Sequence, residues 1–215
     1  MDNRHAICLR NVCKRFKAQQ VLDRICADWD CGAIHGIIGY NGSGKTVLLK
    51  LICGLMPASD GVITVSGVAI DSAVNIPKGI GAIIESPGFL PYYSGYLNLK
   101  FLADVRGVIG KGEIEAVMRL VGLDPSSRKK LWAYSLGMRQ RLGIAQAIME
   151  DPPILILDEP MNGLDKQGVQ DIRQLLKTLR NRGKNIILAS HNREDIDVLC
   201  DDVYEMDAGK LSRVR

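Results

Sequence analysis

A chain of 215 residues, 47% hydrophobic and 24% charged, is sized for one globular domain or a core with a smaller subdomain. Its net charge of +4 is spread along the chain, and the cluster Lys14, Arg15, Lys17 is too short to argue for nucleic acid. Bilayer-spanning apolar runs, a signal-peptide core in "MDNRHAICLR" and a Cys-x-x-Cys pair are all missing, so six scattered cysteines read as reduced, mostly buried thiols of a cytosolic chain. Any membrane part must then come from another chain.

In chain order, the first strong element is an apolar strand at 33–39, followed by "GYNGSGKT" (39–46) and helical spacing over 45–56. The loop satisfies G-x-x-x-x-G-K-[ST] in the strand–loop–helix context that the motif requires. Gly42 and Gly44 let the backbone wrap closely, so successive N–H groups point at phosphate oxygens, and the helix behind them adds its positive end. Lys45 is expected to bridge the terminal phosphates of a nucleoside triphosphate, and the Thr46 hydroxyl to bind Mg²⁺. Kinases, GTPases and motor ATPases share this loop, so it names no reaction.

A strand is expected at 62–68, and another at 80–85 that ends in the acid Glu85. The stretch 86–150 breaks the strand–helix alternation and reads as a helical insert, with helical spacing at 111–122 and 136–149. The strand at 154–159 ends in two carboxylates. Side chains alternate along a strand, so Asp158 and Glu159 cannot face the same way. Asp158 is the better metal partner, and Glu159 is placed to polarise a water that attacks the γ-phosphate. A helix at 168–183 and a strand at 185–190 follow, then two short strands around Asp207-Ala208-Gly209. The runs at 154 and 185 are continuously apolar, as central parallel strands covered on both faces should be. Gly122 and Gly183 sit where helix C-caps are expected. The whole alternation predicts an α/β fold with a parallel sheet.

With "YSLGMRQRLGIAQAIMEDP" (134–152), "NGLD" (162–165) and "ASH" (189–191), the motif set resembles the ATP-binding subunit of ATP-binding cassette (ABC) transporters. The resemblance runs from Phe16 to the C-terminal hairpin and is specific, because five separated motifs occur in order. It implies a P-loop NTPase (RecA-like) core with an N-terminal antiparallel β part. The core would comprise 1–85 and 151–215, with 86–150 as the helical subdomain. ATP and Mg²⁺ are the implied ligands. Phe16 matches the aromatic that stacks on adenine; Gly39, Tyr40, Asn41, Gly42, Ser43, Gly44, Lys45 and Thr46 match the phosphate loop. Ser135 and Gly137 match the signature that binds the γ-phosphate held by a partner, although Tyr134-Ser135-Leu136-Gly137-Met138 departs from the usual Leu-Ser-Gly-Gly-Gln. The "RQR" that follows (139–141) reads as solvated or partner-facing charge. Asp165 matches the loop that joins two sites across a head-to-tail dimer, and His191 the residue that contacts the γ-phosphate and orients water. His5 and His35 carry no motif and read as structural or surface residues.

Glu85 falls where the family usually has a Gln that contacts Mg²⁺ or the attacking water. A carboxylate there can ligate a hard cation but adds negative charge beside the γ-phosphate. Together with "SPGF", it resembles the exporters that remove bacitracin or lantibiotic-type peptides. The resemblance further implies a homodimer, or a heterodimer with another ABC ATPase subunit, and a separate transmembrane subunit that holds the chain at the inner face of the membrane. The stretch 89–101 is the expected dock, with Tyr92, Tyr93 and Tyr96 as residues to check for exposure and core packing as the alternative for most of it. A soluble ABC ATPase of translation or DNA repair would usually carry two cassettes or a coiled-coil insert, which this sequence lacks. A nucleotide kinase would leave the signature and His191 unexplained.

Overall fold

The computed structural model describes residues 5–70 and 77–215. Two long strands, β1 (His5–Phe16) and β2 (Gln19–Asp30), form an antiparallel ladder with irregular register around Asn11 and Arg24, both of which take a left-handed φ. After β3 (Ile34–Ile38) and α1 (Lys45–Ile52), the chain returns to the free edge of β1 as β4 (Asp60–Val65) and β5 (Val68–Ala69). The expected strand at 62–68 is therefore two strands, and neither lies in the parallel sheet. Ser66 and Gly67, at φ 49° and 78°, make the tight turn between them. In β4 only Ile63 and Val65 are buried, while Val62 is half exposed. That alternation suits a sheet with one wet face.

The second sheet has the order β10-β9-β3-β8-β7-β6, with β6 (Ile80–Ile83), β7 (Ile154–Asp158), β8 (Asn185–Ala189), β9 (Asp202–Asp207) and β10 (Lys210–Arg213). All its pairings are parallel except β9–β10, which is the expected hairpin, turning at Ala208 and Gly209 with φ 44° and 77°. The expected strands at 80–85 and 154–159 stop short of their final acids because Glu85 and Glu159 take left-handed φ values of 59° and 50°. Burial on both faces explains the continuous apolar runs. Ile154, Ile156 and Ile187 face α1 and the antiparallel sheet, and Leu155, Leu157, Ile186 and Leu188 face the helical side. Truncating any one of them to alanine would cost about 2–5 kcal/mol.

Helices α2 (Gly95–Arg106), α3 (Lys111–Leu120) and α4 (Leu136–Ile148) lie in the segment read as helical, followed by α5 (Lys166–Asn181) and the short α6 (Arg193–Leu199). The pattern of α2 was hidden because Leu97, Phe101, Leu102 and Val105 stay exposed while Leu99 and Ala103 are buried, which leaves no single apolar stripe. α4 lies directly on β6: a Cβ at Gly81 would come within 1.8 Å of the Ala147 carbonyl, so only glycine permits the approach. The arginines of "RQR" are bound within the chain. Arg141 Nη1 donates to Val121 O at 2.7 Å and Nη2 bridges to Asp171 at 3.2 Å, tying α3 and α4 to α5, while Arg139 donates to Trp132 O. His35 is structural, buried between Asp202 (2.7 Å) and the Asp30 carbonyl (3.0 Å); the side chain of His5 lies outside the described residues. Cys13, Cys53 and Cys200 are buried free thiols, and burial pushes those of Cys53 and Cys200 up to about 12; Cys26 and Cys31 are exposed.

Candidate nucleotide site

The loop between β3 and α1 is positive in φ at Gly39, Gly42 and Gly44. Gly44 also presses on β2, since a Cβ there would come within 2.8 Å of Leu22 Cδ2. From the other side, the β9–β10 turn supports the loop, with Gly209 N donating to Ser43 O at 3.2 Å. Lys45, only 6% exposed, curls back so that Nζ donates to the carbonyls of Gly39 (2.6 Å) and Tyr40 (3.1 Å). An ammonium has three donors, so one remains for a ligand. The buried Ser43 hydroxyl has no partner among the described residues. A helix N-terminus, a buried cation and an orphaned hydroxyl in one loop fit a polyphosphate.

Opposite the loop, Thr46 Oγ1 donates to Asp158 Oδ2 at 2.7 Å. Burial pushes the Asp158 carboxyl up, Glu159 and Glu85 add to the rise, and the Thr46 bond and Lys45 oppose it. A cation would reverse that balance. Thr46 and Asp158 are two hard oxygen donors, which fit Mg²⁺ when phosphate oxygens and water complete its shell. Among the described residues no cluster of three or more His, Cys, Asp or Glu forms a ready-made metal cage.

The left-handed φ of 50° at Glu159 separates the two acids; Glu159 swings away from Asp158 toward the end of β8. There Oε1 accepts from the backbone N–H (2.9 Å) and the ring Nδ1 (2.8 Å) of His191, and Oε2 from the Ser190 hydroxyl (3.3 Å). The Glu159 N–H donates to Ala189 O, and its carbonyl accepts from Gln140 Nε2 of α4 at 3.1 Å. Sequence reasoning named Glu159 and His191 separately and missed Ser190 and Gln140. Ser190 stood beside the motif histidine. Gln140 had no local signal, because its partner is 19 residues away.

Glu85 is placed differently from the metal role that the resemblance implies. Its carboxylate, 63% exposed, pairs with Lys50 Nζ of α1 at 2.7 Å rather than with Thr46 or Asp158. Phe16 stands 45% exposed at the end of β1 and is not core. Val21, at the start of β2, lines the cleft of about 210 Å³ that holds Gly42, Lys45, Thr46, Asp158 and Glu159. An adjoining cleft brings Gly39, Tyr40 and Asn41 to His191.

Ser135, Gly137 and Asp165 lie elsewhere, in a cleft of about 560 Å³ that shares no lining residue with these two. Ser135 caps α4 by accepting from Met138 N (3.2 Å), and Asp165 caps α5 by accepting from Gly168 N (2.8 Å). Tyr134 is buried against α2, where a Cβ on Gly95 would meet its hydroxyl at 2.6 Å. Of the tyrosines to be checked, Tyr92 and Tyr93 are exposed and Tyr96 packs half-buried on the core.

The "ABC transporter" family model matches residues 22–162. The uncharacterized ABC transporter ATP-binding protein YybJ of Bacillus subtilis is 42% identical over 94% of this chain and 92% of that one. The bacitracin transport ATP-binding protein BcrA of Enterococcus faecalis is 38% identical over 96% of this chain and 68% of its own length, and the lantibiotic transport ATP-binding protein SrtF of Streptococcus pyogenes is 32% identical over 94% and 87%. Among solved structures, a dimeric post-hydrolysis state of the ATP-binding cassette MJ0796 with ADP and phosphate superposes with a TM-score of 0.86. It covers 97% of this chain and 99% of that one, and at 21% identity it shows the fold alone.

Proposed function

As a member of the ABC transporter family, to which the chain belongs, this protein is an ATPase subunit of a transporter, and we propose that it closes head-to-tail with a second ATPase subunit on two MgATP to drive peptide export. The observation that carries the dimer is the separation of the two clefts. Ser135 and Gly137 line a cleft that shares no lining residue with the one that holds the phosphate loop of their own chain, which supports a second subunit bringing its signature to this loop. That subunit is another copy or a homologous ATPase.

In this reading the loop from Gly39 to Gly44, with Lys45, holds the β- and γ-phosphates, and Phe16 stacks on the base. Thr46 and Asp158 would hold Mg²⁺, which when bound would supply positive charge to offset that of the phosphates. Glu159 takes a proton from water. Oε1 spends both of its lone pairs on His191 and Oε2 one on Ser190, which leaves a lone pair of Oε2 for that proton. The N-terminus of α4 at Ser135 presents its positive end to the γ-phosphate held by the partner. Residues 1–85 and 151–215 act as the catalytic core and 86–150 as a subdomain, linked to the core through Gln140 and the Glu159 carbonyl. The Glu85–Lys50 pair ties the last core residue before that subdomain to α1. Exposed pairs of this kind are weak. Glu85→Gln is therefore expected to keep turnover within about threefold and, with the carboxylate on Lys50 rather than on Thr46 or Asp158, to leave its Mg²⁺ dependence unchanged, read from ATPase rates across a Mg²⁺ titration. A hundredfold collapse would instead make the acid essential.

A separate transmembrane subunit is proposed to dock on α2 and the segment before it. Support comes from the exposed Tyr92, Tyr93, Phe101 and Val105, of which Tyr93 and Phe101 meet edge-to-face at 5.1 Å. Apolar residues exposed in such a group are an interaction surface more often than an accident. Among the described residues no helix is long and apolar enough to cross a membrane, and the partner would hold this chain at the inner face. Similarity to BcrA and SrtF supports a peptide antibiotic as the cargo. Tyr92→Glu is expected to leave the ATPase of the isolated subunit unchanged and to abolish co-purification with the membrane subunit. In cells that produce both subunits, protection against the exported peptide should fall with it. Retained co-purification would move the dock elsewhere; retained complex without any protection by the wild type would remove the peptide assignment.

A further inference from the structure

Lys14 is a buried cation that the proposed chemistry leaves unused. It is 8% exposed, although lysine normally keeps its head in water. Its ammonium donates to Pro57 O at 2.7 Å and lies 5.0 Å from the centroid of the Phe16 ring. The lysines that form salt bridges among the described residues are Lys50, Lys100, Lys111 and Lys184, and Lys14 is not one of them. The segment that supplies Pro57 is itself fastened to β1 on either side of Lys14, by Ser59 N to Cys13 O (2.8 Å) and Arg15 N to Ser59 Oγ (3.0 Å). The ammonium is thus held on a fixed mount against the ring.

We propose that Lys14 is a positioning residue for the nucleotide base: it clamps one face of Phe16, so that the opposite face is a preorganised stacking surface for a purine. This rests on the reading of Phe16 as the base-stacking residue. Two physical effects support it. A cation over one face attracts the π cloud and leaves the other face less negative, which favours stacking on an electron-rich purine. An exposed Phe at a strand end would otherwise sample several rotamers, and a clamped ring has less freedom to lose on binding. Across the hairpin Phe16 pairs with Gln19, two residues before Val21, which lines the phosphate cleft.

The test compares Lys14→Met, Lys14→Gln, Lys14→Arg, Phe16→Ala and Phe16→Ala/Lys14→Met in the full chain. Lys14→Gln keeps a donor for Pro57 O without the cation, and serves if Lys14→Met fails to fold. Lys14→Met or Lys14→Gln is expected to raise the KM for ATP about threefold to tenfold, with kcat within about twofold, and Lys14→Arg to restore it. Inhibition by magnesium tripolyphosphate, which has phosphates but no base, should be unchanged. In the Phe16→Ala background the Lys14 substitution should add nothing. Equal losses for ATP and tripolyphosphate, or an undiminished Lys14 effect without the ring, would overturn the proposal. So would an unchanged KM in the Lys14 variants when Phe16→Ala raises it. If Phe16→Ala itself leaves KM unchanged, the reading of Phe16 fails first and the clamp falls with it.

Discussion

Lys45→Ala is expected to lower ATP affinity by at least about a hundredfold, to the point where a calorimetric titration of the full chain shows no saturation. The ammonium is 6% exposed, and two of its donors are spent on the carbonyls of Gly39 and Tyr40. It lies deep enough for its attraction to phosphate to escape much of the screening that weakens surface pairs. Charge-assisted bonds to phosphate are among the strongest polar contacts available, and alanine supplies none. The variant loses a second thing, the tether that folds the loop over its own backbone. A thermal melt separates the two effects, since loss of a ligand contact leaves the ligand-free melting temperature nearly unchanged while loss of loop order lowers it. Unchanged ATP affinity would remove Lys45 from the site.

Glu159→Gln is expected to bind ATP normally while hydrolysis falls about 10²–10⁴-fold, the usual range for a lost general base. The amide fits the same contacts. Its oxygen can accept from the His191 N–H and its NH₂ can donate to the Ser190 hydroxyl, so the distances of 2.9 and 3.3 Å need not change. Only the basic lone pairs and the charge are removed. With turnover blocked, an ATP-bound dimer should accumulate, visible as an ATP-dependent shift in size-exclusion chromatography. Wild-type single-turnover rates would exclude Glu159 as the base, and a persistent monomer under saturating ATP would count against the head-to-tail arrangement.

Much of this site was legible in the sequence because its chemistry is local. The phosphate loop is one contiguous turn whose conformation is set by Gly39, Gly42 and Gly44 and by its place between a strand and a helix. Asp158 and Glu159 are neighbours at a strand end, and the β9–β10 hairpin is announced by Ala208-Gly209. Burial on both faces made β7 and β8 readable as central strands from apolar runs alone. The family signature in 134–165 added the expectation of a second subunit.

Only the tertiary structure decided the rest. That β4 leaves the parallel sheet for the edge of β1 depends on which edge is free, and no residue within 62–68 encodes that. The arginines of "RQR" look solvated in sequence, yet Arg141 finds Val121 and Asp171, 20 and 30 residues distant. Glu85 meets Lys50 across 35 residues, and Glu159 meets His191 across 32. Lys14 is buried because Pro57 is brought over it, and α2 keeps apolar side chains in water where periodicity alone predicts neither face. Backbone propensity and hydrophobic period act within a few residues and are written in the sequence. Side-chain pairing between elements depends on where the whole chain packs, because only packing removes the water that would otherwise satisfy those charges.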